Sequence, residues 1–222
     1  MLPRVLEPES MDSMQEAIDY NNMDHSQVNQ AFVDDLLAAG EFRGEILDLG
    51  TGTALIPIEL VRRYPDCYVM AVDVAISMLD VARFNIEIAT VTDRVQLDHV
   101  DAKQLPHGND RFAAVISNGA LHHIAEPLGV LREAVRVAAP DGVLFFRDLL
   151  RPKDLETLEQ LVQTYAGQEH DHQRQMFARS LHAALSVDEM RDLLEQLGFA
   201  PESVQATSDR HWTWAGRKHK CV

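Results

Sequence analysis

The chain has 222 residues, 46% of them hydrophobic and 25% charged, and a formal net charge of -15. A chain of this size buries roughly 70% of its unfolded surface and needs neither disulfide nor metal to stay folded. Its acidic field disfavours nucleic-acid phosphate and anionic membranes as partners, and no apolar run approaches the roughly 20 residues of a membrane span.

In chain order, the first forty residues read as helical. Apolar residues at Val28, Ala31, Phe32, Leu36 and Leu37 predict a helix over 26–39, capped by Ser26 or Asp24 and ended at Gly40. From Glu45 the pattern becomes alternating strand and helix. Strands are expected at 46–48, 67–72, 94–99, 112–117 and 143–146, and helices at 53–64, 76–89 and 127–138. Pro140-Asp141-Gly142 reads as a turn before the fifth strand. Residues 151–185 break the alternation and read as a helical lid insertion. A helix over 186–197 follows, with Ser186 and Glu189 as a capping box and Gly198 as its stop. Two last strands, around 203–206 and 210–216, read as an antiparallel hairpin with Trp212 and Trp214 on its core face.

The expected fold is α/β: a doubly wound, mostly parallel seven-stranded sheet with an antiparallel C-terminal strand and a helical lid. One domain is expected. It comprises N-terminal helices over 1–43, a cofactor-binding core over 44–150, the lid over 151–185, and a closing helix and hairpin over 186–222. The acidic segment 1–20 lacks the apolar core of a signal peptide. Cys67 and Cys221 form neither a C-x-x-C pair nor a disulfide framework, so reduced thiols in a cytoplasm are expected.

Ligands of such sheets bind beyond the carboxyl ends of the strands. Asp48-Leu49-Gly50-Thr51-Gly52 is a glycine turn between strand and helix. A pyrophosphate there would be repelled by Asp48, whereas the ammonium and sulfonium of S-adenosylmethionine suit a carboxylate. Asp73 stands 23 positions after Gly50 and suits ribose hydroxyls or a helix cap. Asp101 and Ala102 follow the third strand and suit an adenine edge. Asn118 follows the fourth, with His122 and His123 close behind. Either histidine is a candidate general base, or simply packs.

These signals, in this order, resemble a small-molecule class I S-adenosylmethionine-dependent methyltransferase. The resemblance rests on Asp48, Gly50 and Gly52; Asp73; Asp101-Ala102; Ser117-Asn118 with Leu121-His122-His123; and Pro140-Asp141-Gly142. Ala54 stands where many members have a third glycine, and Asp141 replaces a glycine of the usual Pro-Gly-Gly. The Asn/Asp-Pro-Pro-Tyr tetrapeptide of the nucleic-acid and glutamine amino-group methylases is absent. The resemblance implies S-adenosylmethionine as cofactor, with Asp48, Gly50, Thr51 and Gly52 at its methionine end. It also implies Asp73 on the ribose, Val74, Met78, Asp101 and Ala102 around adenine, and the Asn118 backbone near the methionine.

On the acceptor side, Tyr20, His25, Arg147, Arg179 and His182 are the candidate substrate contacts. Arginines there suit an anionic acceptor or are surface ion pairs. His170-Asp171-His172 reads as a solvated lid segment, and no metal is expected. The partners expected are a small-molecule acceptor, with no nucleic acid and no membrane, for a monomer or homodimer. The competing functions are a nucleotide-dependent oxidoreductase on the same sheet and a non-catalytic S-adenosylmethionine-binding protein.

Overall fold

The computed structural model describes residues 2–7 and 13–219, and Cys221 lies outside them. Two helices, α1 (Met14–Asn22) and α2 (Ser26–Ala38), precede the alternating core. That core runs β1 (Glu45–Leu49), α3 (Leu55–Arg63), β2 (Tyr68–Asp73), α4 (Ile76–Ala89), β3 (Val95–His99), β4 (Phe112–Asn118), α5 (Pro127–Val137) and β5 (Ala138–Leu149). Then come α6 (Leu155–Ala166), α7 (Asp171–Ala183), α8 (Val187–Gln196), β6 (Val204–Ala206) and β7 (His211–Arg217). A 3-10 turn at Leu121–His123 links β4 to α5. The seven strands are ordered β3-β2-β1-β4-β5-β7-β6. The first four pair in parallel and β6 runs antiparallel to β7, as expected for this fold. The chain steps outward from β1 to β3 and then crosses to β4, so strand order reverses between β1 and β4.

The chain divides into two compact units. One comprises residues 13–118, 127–146 and 215–219. Its core joins Phe32 and Leu36 of α2, Ile46 of β1, Leu60 and Val61 of α3, Ile116 of β4 and Phe145 of β5, all buried. The rings of Phe32 and Phe145 meet edge to face, 5.1 Å apart. Each such fully buried side chain contributes about 1.5–3 kcal/mol. The buried stripe of α2 is Phe32, Val33 and Leu36; Ala31, expected on it, is exposed. Asp24 Oδ1 accepts from the Ser26 backbone N–H and hydroxyl, so it braces the start of α2.

The helix expected from residue 53 begins at Leu55. Residues 53–54 still belong to the glycine turn, and Ala54 closes it in the left-handed conformation (φ 60°). An L side chain costs about 1–2 kcal/mol in that conformation. The turn expected at Pro140-Asp141-Gly142 does not interrupt the strand but lies inside β5. Asp141 takes a left-handed φ of 68°. The ladder survives because the Asp141 N–H donates to Lys218 O and the Lys218 N–H to Gly142 O.

The other unit comprises residues 2–7, 119–126 and 147–214. Helices α6 and α7 close over Leu149 through Leu161, Leu181, Ala184 and Phe177. Ser186 and Glu189 form the expected capping box at the head of α8, and Gly198 follows that helix at φ 79°. Trp212 and Trp214 are both fully buried, and Phe199 packs edge to face on Trp214. His170-Asp171-His172 opens α7, where His170 and Gln173 exchange capping bonds.

A Cβ added at Gly142 would lie 2.7 Å from Ala139 O and 3.1 Å from Phe112 O, backbone atoms that have nowhere to go. Gly142→Ala is therefore expected to destabilise the protein by about 1–3 kcal/mol, read as a lowered urea midpoint with an unchanged slope.

Candidate active site

The site grows from the tip of β1. Strand register sets Asp48 opposite Ala71 of β2 and Ile116 of β4, so its carboxyl stands at the point where strand order reverses. It is 2% exposed. Burial pushes its carboxyl up to about 7, Thr51 opposes the shift in part, and Asp73 adds to it.

The turn after Asp48 is held from two sides. Gly50 and Gly52 both take left-handed φ values, 67° and 53°. The Thr51 N–H donates to Val72 O of β2. Asp73 Oδ2 accepts from the Gly52 N–H at 2.8 Å, and Asp73 Oδ1 accepts from the Ala75 N–H at 2.9 Å. One carboxylate thus ties the glycine turn to the head of α4. Burial pushes the Asp73 carboxyl up, against these bonds. On the β4 side, the Ser117 hydroxyl donates to Leu49 O at 2.8 Å.

Beyond the strand tips lies a cleft lined by Tyr20, Asn29, Asp48, Gly50, Thr51, Thr53, Leu55, Ile56 and Asn118. Thr53 Oγ1 is buried at its wall with no hydrogen-bond partner. A buried hydroxyl without a partner is costly, so a polar ligand is its natural complement. Tyr20 reaches the cleft from α1. The Asn85 amide donates to Asn21 Oδ1 and Thr53 O, which ties α1 and the turn to α4. The His25 ring lies 4.5 Å from the Tyr20 ring, and its Nε2–H donates to Tyr20 O.

Four residues expected on the cofactor, Asp48, Gly50, Thr51 and Asn118, therefore line one cleft with Tyr20. Gly52 and Asp73 brace it. Met78 is buried against Ala17, Ala75, Tyr20 and Val81. Val74 is exposed. Asp101 accepts from the Lys103 N–H and pairs with its ammonium at 3.3 Å, and Ala102 is half-buried beside it. Sequence reasoning missed Asn29, Thr53, Leu55 and Ile56. Asn29 was findable: it stands three, four and seven positions before Phe32, Val33 and Leu36, a polar residue on the buried stripe.

The second unit holds a separate polar cluster. His122 and Asp148 are both buried, and Asp148 Oδ1 accepts from His122 Nδ1 at 2.6 Å. Asp148 Oδ2 accepts from the His122 N–H, and Oδ1 also accepts from the Leu149 N–H. Burial works against charge on both. Their mutual attraction prevails, raising the His122 imidazole and lowering the Asp148 carboxyl from their ordinary values. Glu7 stands 3.5 Å from His122 Nε2 and 3.3 Å from His123 Nδ1. Burial pushes its carboxyl up, with His122 opposing.

Arg4 fastens this segment. Its guanidinium donates to the carbonyls of His122, Ile124, Ala125 and Ala183. Neither Arg4 nor Glu7 carries any periodic signal in the sequence. Of the expected acceptor contacts, Arg147 is buried and donates from Nε to Thr213 Oγ1 at 2.8 Å. His182 buries Nε2 without a hydrogen-bond partner, and Arg179 adds positive charge near Glu7.

Residues 46–142 match the family model described as Methyltransferase domain. The chain belongs to the S-adenosylmethionine-dependent methyltransferases. Among the relatives of this methyltransferase, 27-O-demethylrifamycin SV methyltransferase from Amycolatopsis mediterranei is 31% identical over 188 residues, covering 82% of this chain and 63% of the relative. Malonyl-[acyl-carrier protein] O-methyltransferase from Halorhodospira halophila is 39% identical over 101 residues, covering 46% and 33%. Shorter matches include methyltransferases named for tRNA and for a ribosomal protein glutamine. The chain spans less than two thirds of the length of each of these curated relatives. In fold, it resembles the crystal structure of a SAM-dependent methyltransferase from Aquifex aeolicus with a TM-score of 0.68 at 17% identity, covering 93% of this chain and 98% of that one. The methyl donor of this family is S-adenosylmethionine. The methyltransferase cleft fits that donor on its own chemistry, since its lining includes a buried carboxyl and a residue whose hydroxyl has no partner, groups suited to a ligand carrying an ammonium and many polar groups.

The shift at Asp48 has a sign. A carboxyl whose folded value lies above its unfolded one holds its proton longer in the fold, so stability falls as pH rises from about 4 to about 7. Asp48→Asn removes this penalty. Without ligand, the variant is expected to exceed the native protein in stability at pH 8 by up to about 4 kcal/mol and to match it at pH 4, as read by urea unfolding at the two pH values.

Proposed function

We propose that this methyltransferase transfers the methyl group of S-adenosylmethionine to a small-molecule acceptor by in-line displacement. The observation that carries this reading is the buried Asp48 carboxyl in a cleft that also presents the Thr53 hydroxyl and Asn118. The donor supplies an activated methyl on a sulfonium, so the protein's task is largely to position two reactants and exclude water. In this reading Asp48, Gly50, Thr51, Gly52 and Asn118 serve the methionine end, Asp73 the ribose, and Val74, Met78, Asp101 and Ala102 the adenine.

Tyr20, His25, Arg147, Arg179 and His182 are the proposed acceptor-side residues. His122, oriented by Asp148 through Nδ1, or its neighbour His123 is the proposed base where the acceptor must shed a proton. The small-molecule class is supported by the net charge of -15, which disfavours nucleic acid, and by a relative named for a demethylrifamycin. The deciding assay follows S-adenosylhomocysteine release against hydroxylated and carboxylated small molecules, total tRNA and a ribosomal protein extract. Turnover with small molecules alone is expected, and turnover confined to RNA or protein would overturn the acceptor class.

Asp48 also predicts how binding responds to pH. A cationic ligand needs the ionised carboxylate, and below about 7 the free protein holds a proton there. S-adenosylhomocysteine, which keeps the ammonium, is therefore expected to bind up to about tenfold more weakly for each unit of pH below 7. Calorimetric titrations between pH 5.5 and 8 read this slope. Asp48→Asn is expected to bind more weakly at pH 8 and to flatten the dependence.

A further inference from the structure

Glu7, His122 and His123 bring three donor atoms into one buried cluster, all within 4.8 Å of one another. Their side chains are 12%, 6% and 14% exposed. Glu7 Oε1 lies 3.5 Å from His122 Nε2 and 3.3 Å from His123 Nδ1. Both distances exceed the usual 2.7–3.2 Å of an N–H···O bond. They match two donors of one tetrahedral ion, since bonds of about 2.0–2.1 Å at the tetrahedral angle set neighbouring donors about 3.3 Å apart.

The hydrogen bonds of His122 point the same way. Asp148 only accepts when ionised, so Nδ1 donates in the 2.6 Å bond, and Nε2 is the ring nitrogen turned toward Glu7 Oε1. Imidazole bound through one nitrogen, with the other donating to a carboxylate, is the usual outer support of a metal-bound histidine. Two carboxylates, Glu7 and Asp148, match the charge of a divalent ion. The guanidinium of Arg4 is committed to four backbone carbonyls rather than to Glu7.

We propose that Glu7 Oε1, His122 Nε2 and His123 Nδ1 bind a divalent transition-metal ion of the zinc class. Two imidazoles with one carboxylate suit zinc, cobalt or iron(II) rather than magnesium or calcium, which take oxygen donors. Three protein donors leave a fourth position for water or a bound molecule. Occupancy takes the Nε2 lone pair out of proton transfer, so the base role proposed for this pair belongs to the metal-free protein. The inference stands apart from methyl transfer because its readout is metal content.

The test uses full-length protein stripped with a chelator, then titrated with Zn²⁺ by calorimetry and with Co²⁺ by visible absorption. S-adenosylhomocysteine binding in the same samples reports the cofactor cleft separately. One equivalent per chain and intense tetrahedral cobalt bands are expected for the native protein. Glu7→Gln and His123→Gln are each expected to lose at least tenfold in Zn²⁺ affinity. His172→Gln, which changes an exposed histidine elsewhere, is expected to lose none. Weak binding of several equivalents, or equal affinity in native protein and Glu7→Gln, would overturn the site. So would nitrogen NMR showing both His122 ring nitrogens still protonated at saturating Zn²⁺, because a proton would then occupy the place assigned to the metal.

Discussion

A carboxyl that the fold dehydrates almost completely at the tip of its central strand is the constraint on which the cofactor half depends. Asp48 is almost wholly buried, and its neighbours keep it that way: β2 on one side, β4 on the other, and the glycine turn after it. The same turn needs left-handed backbone at Gly50, Gly52 and Ala54, and it is kept there by one more carboxylate, Asp73. Strain, burial and an unpartnered Thr53 hydroxyl thus collect within the seven residues from Asp48 to Ala54. Such costs persist where surrounding structure over-determines them, and they concentrate at ligand sites.

The second unit solves a similar problem differently. Its buried acid, Asp148, is not left without a counter-charge. It accepts from His122 twice and from Leu149 once, and the histidine's charge outweighs the cost of burial. One buried acid is therefore held toward its neutral form and the other toward its charged form. That divergence separates a group for which burial prevails from one for which a partner's charge prevails.

The sequence made the cofactor half largely legible because its signals are local. Strand, glycine turn and helix head follow one another in the chain, and Asp48, Gly50 and Asn118 came out in one cleft because a parallel sheet puts every strand's carboxyl end on the same edge. What escaped was either polar and periodic, like Asn29 on the stripe of α2, or set by sequence-distant contacts. Glu7 and Arg4 meet residues more than a hundred positions away, and no spacing rule reaches that far. The turn at residues 140–142 was misjudged for the same reason. Its Pro-Asp-Gly composition signals a break, but bonds to Lys218 carry the strand through it.

The Arg4 clip also bears on the order in which the protein assembles. Its guanidinium joins positions up to 179 residues apart. Chains emerge amino end first, and contacts of long sequence separation carry a loop-closure cost that local ones avoid. Residues 45–118 carry β1 to β4 and can pair as they appear, whereas Arg4 has no complete set of acceptors until Ala183 has been synthesised. Arg4, though it precedes β1 in the chain, is thus among the last residues to complete its contacts.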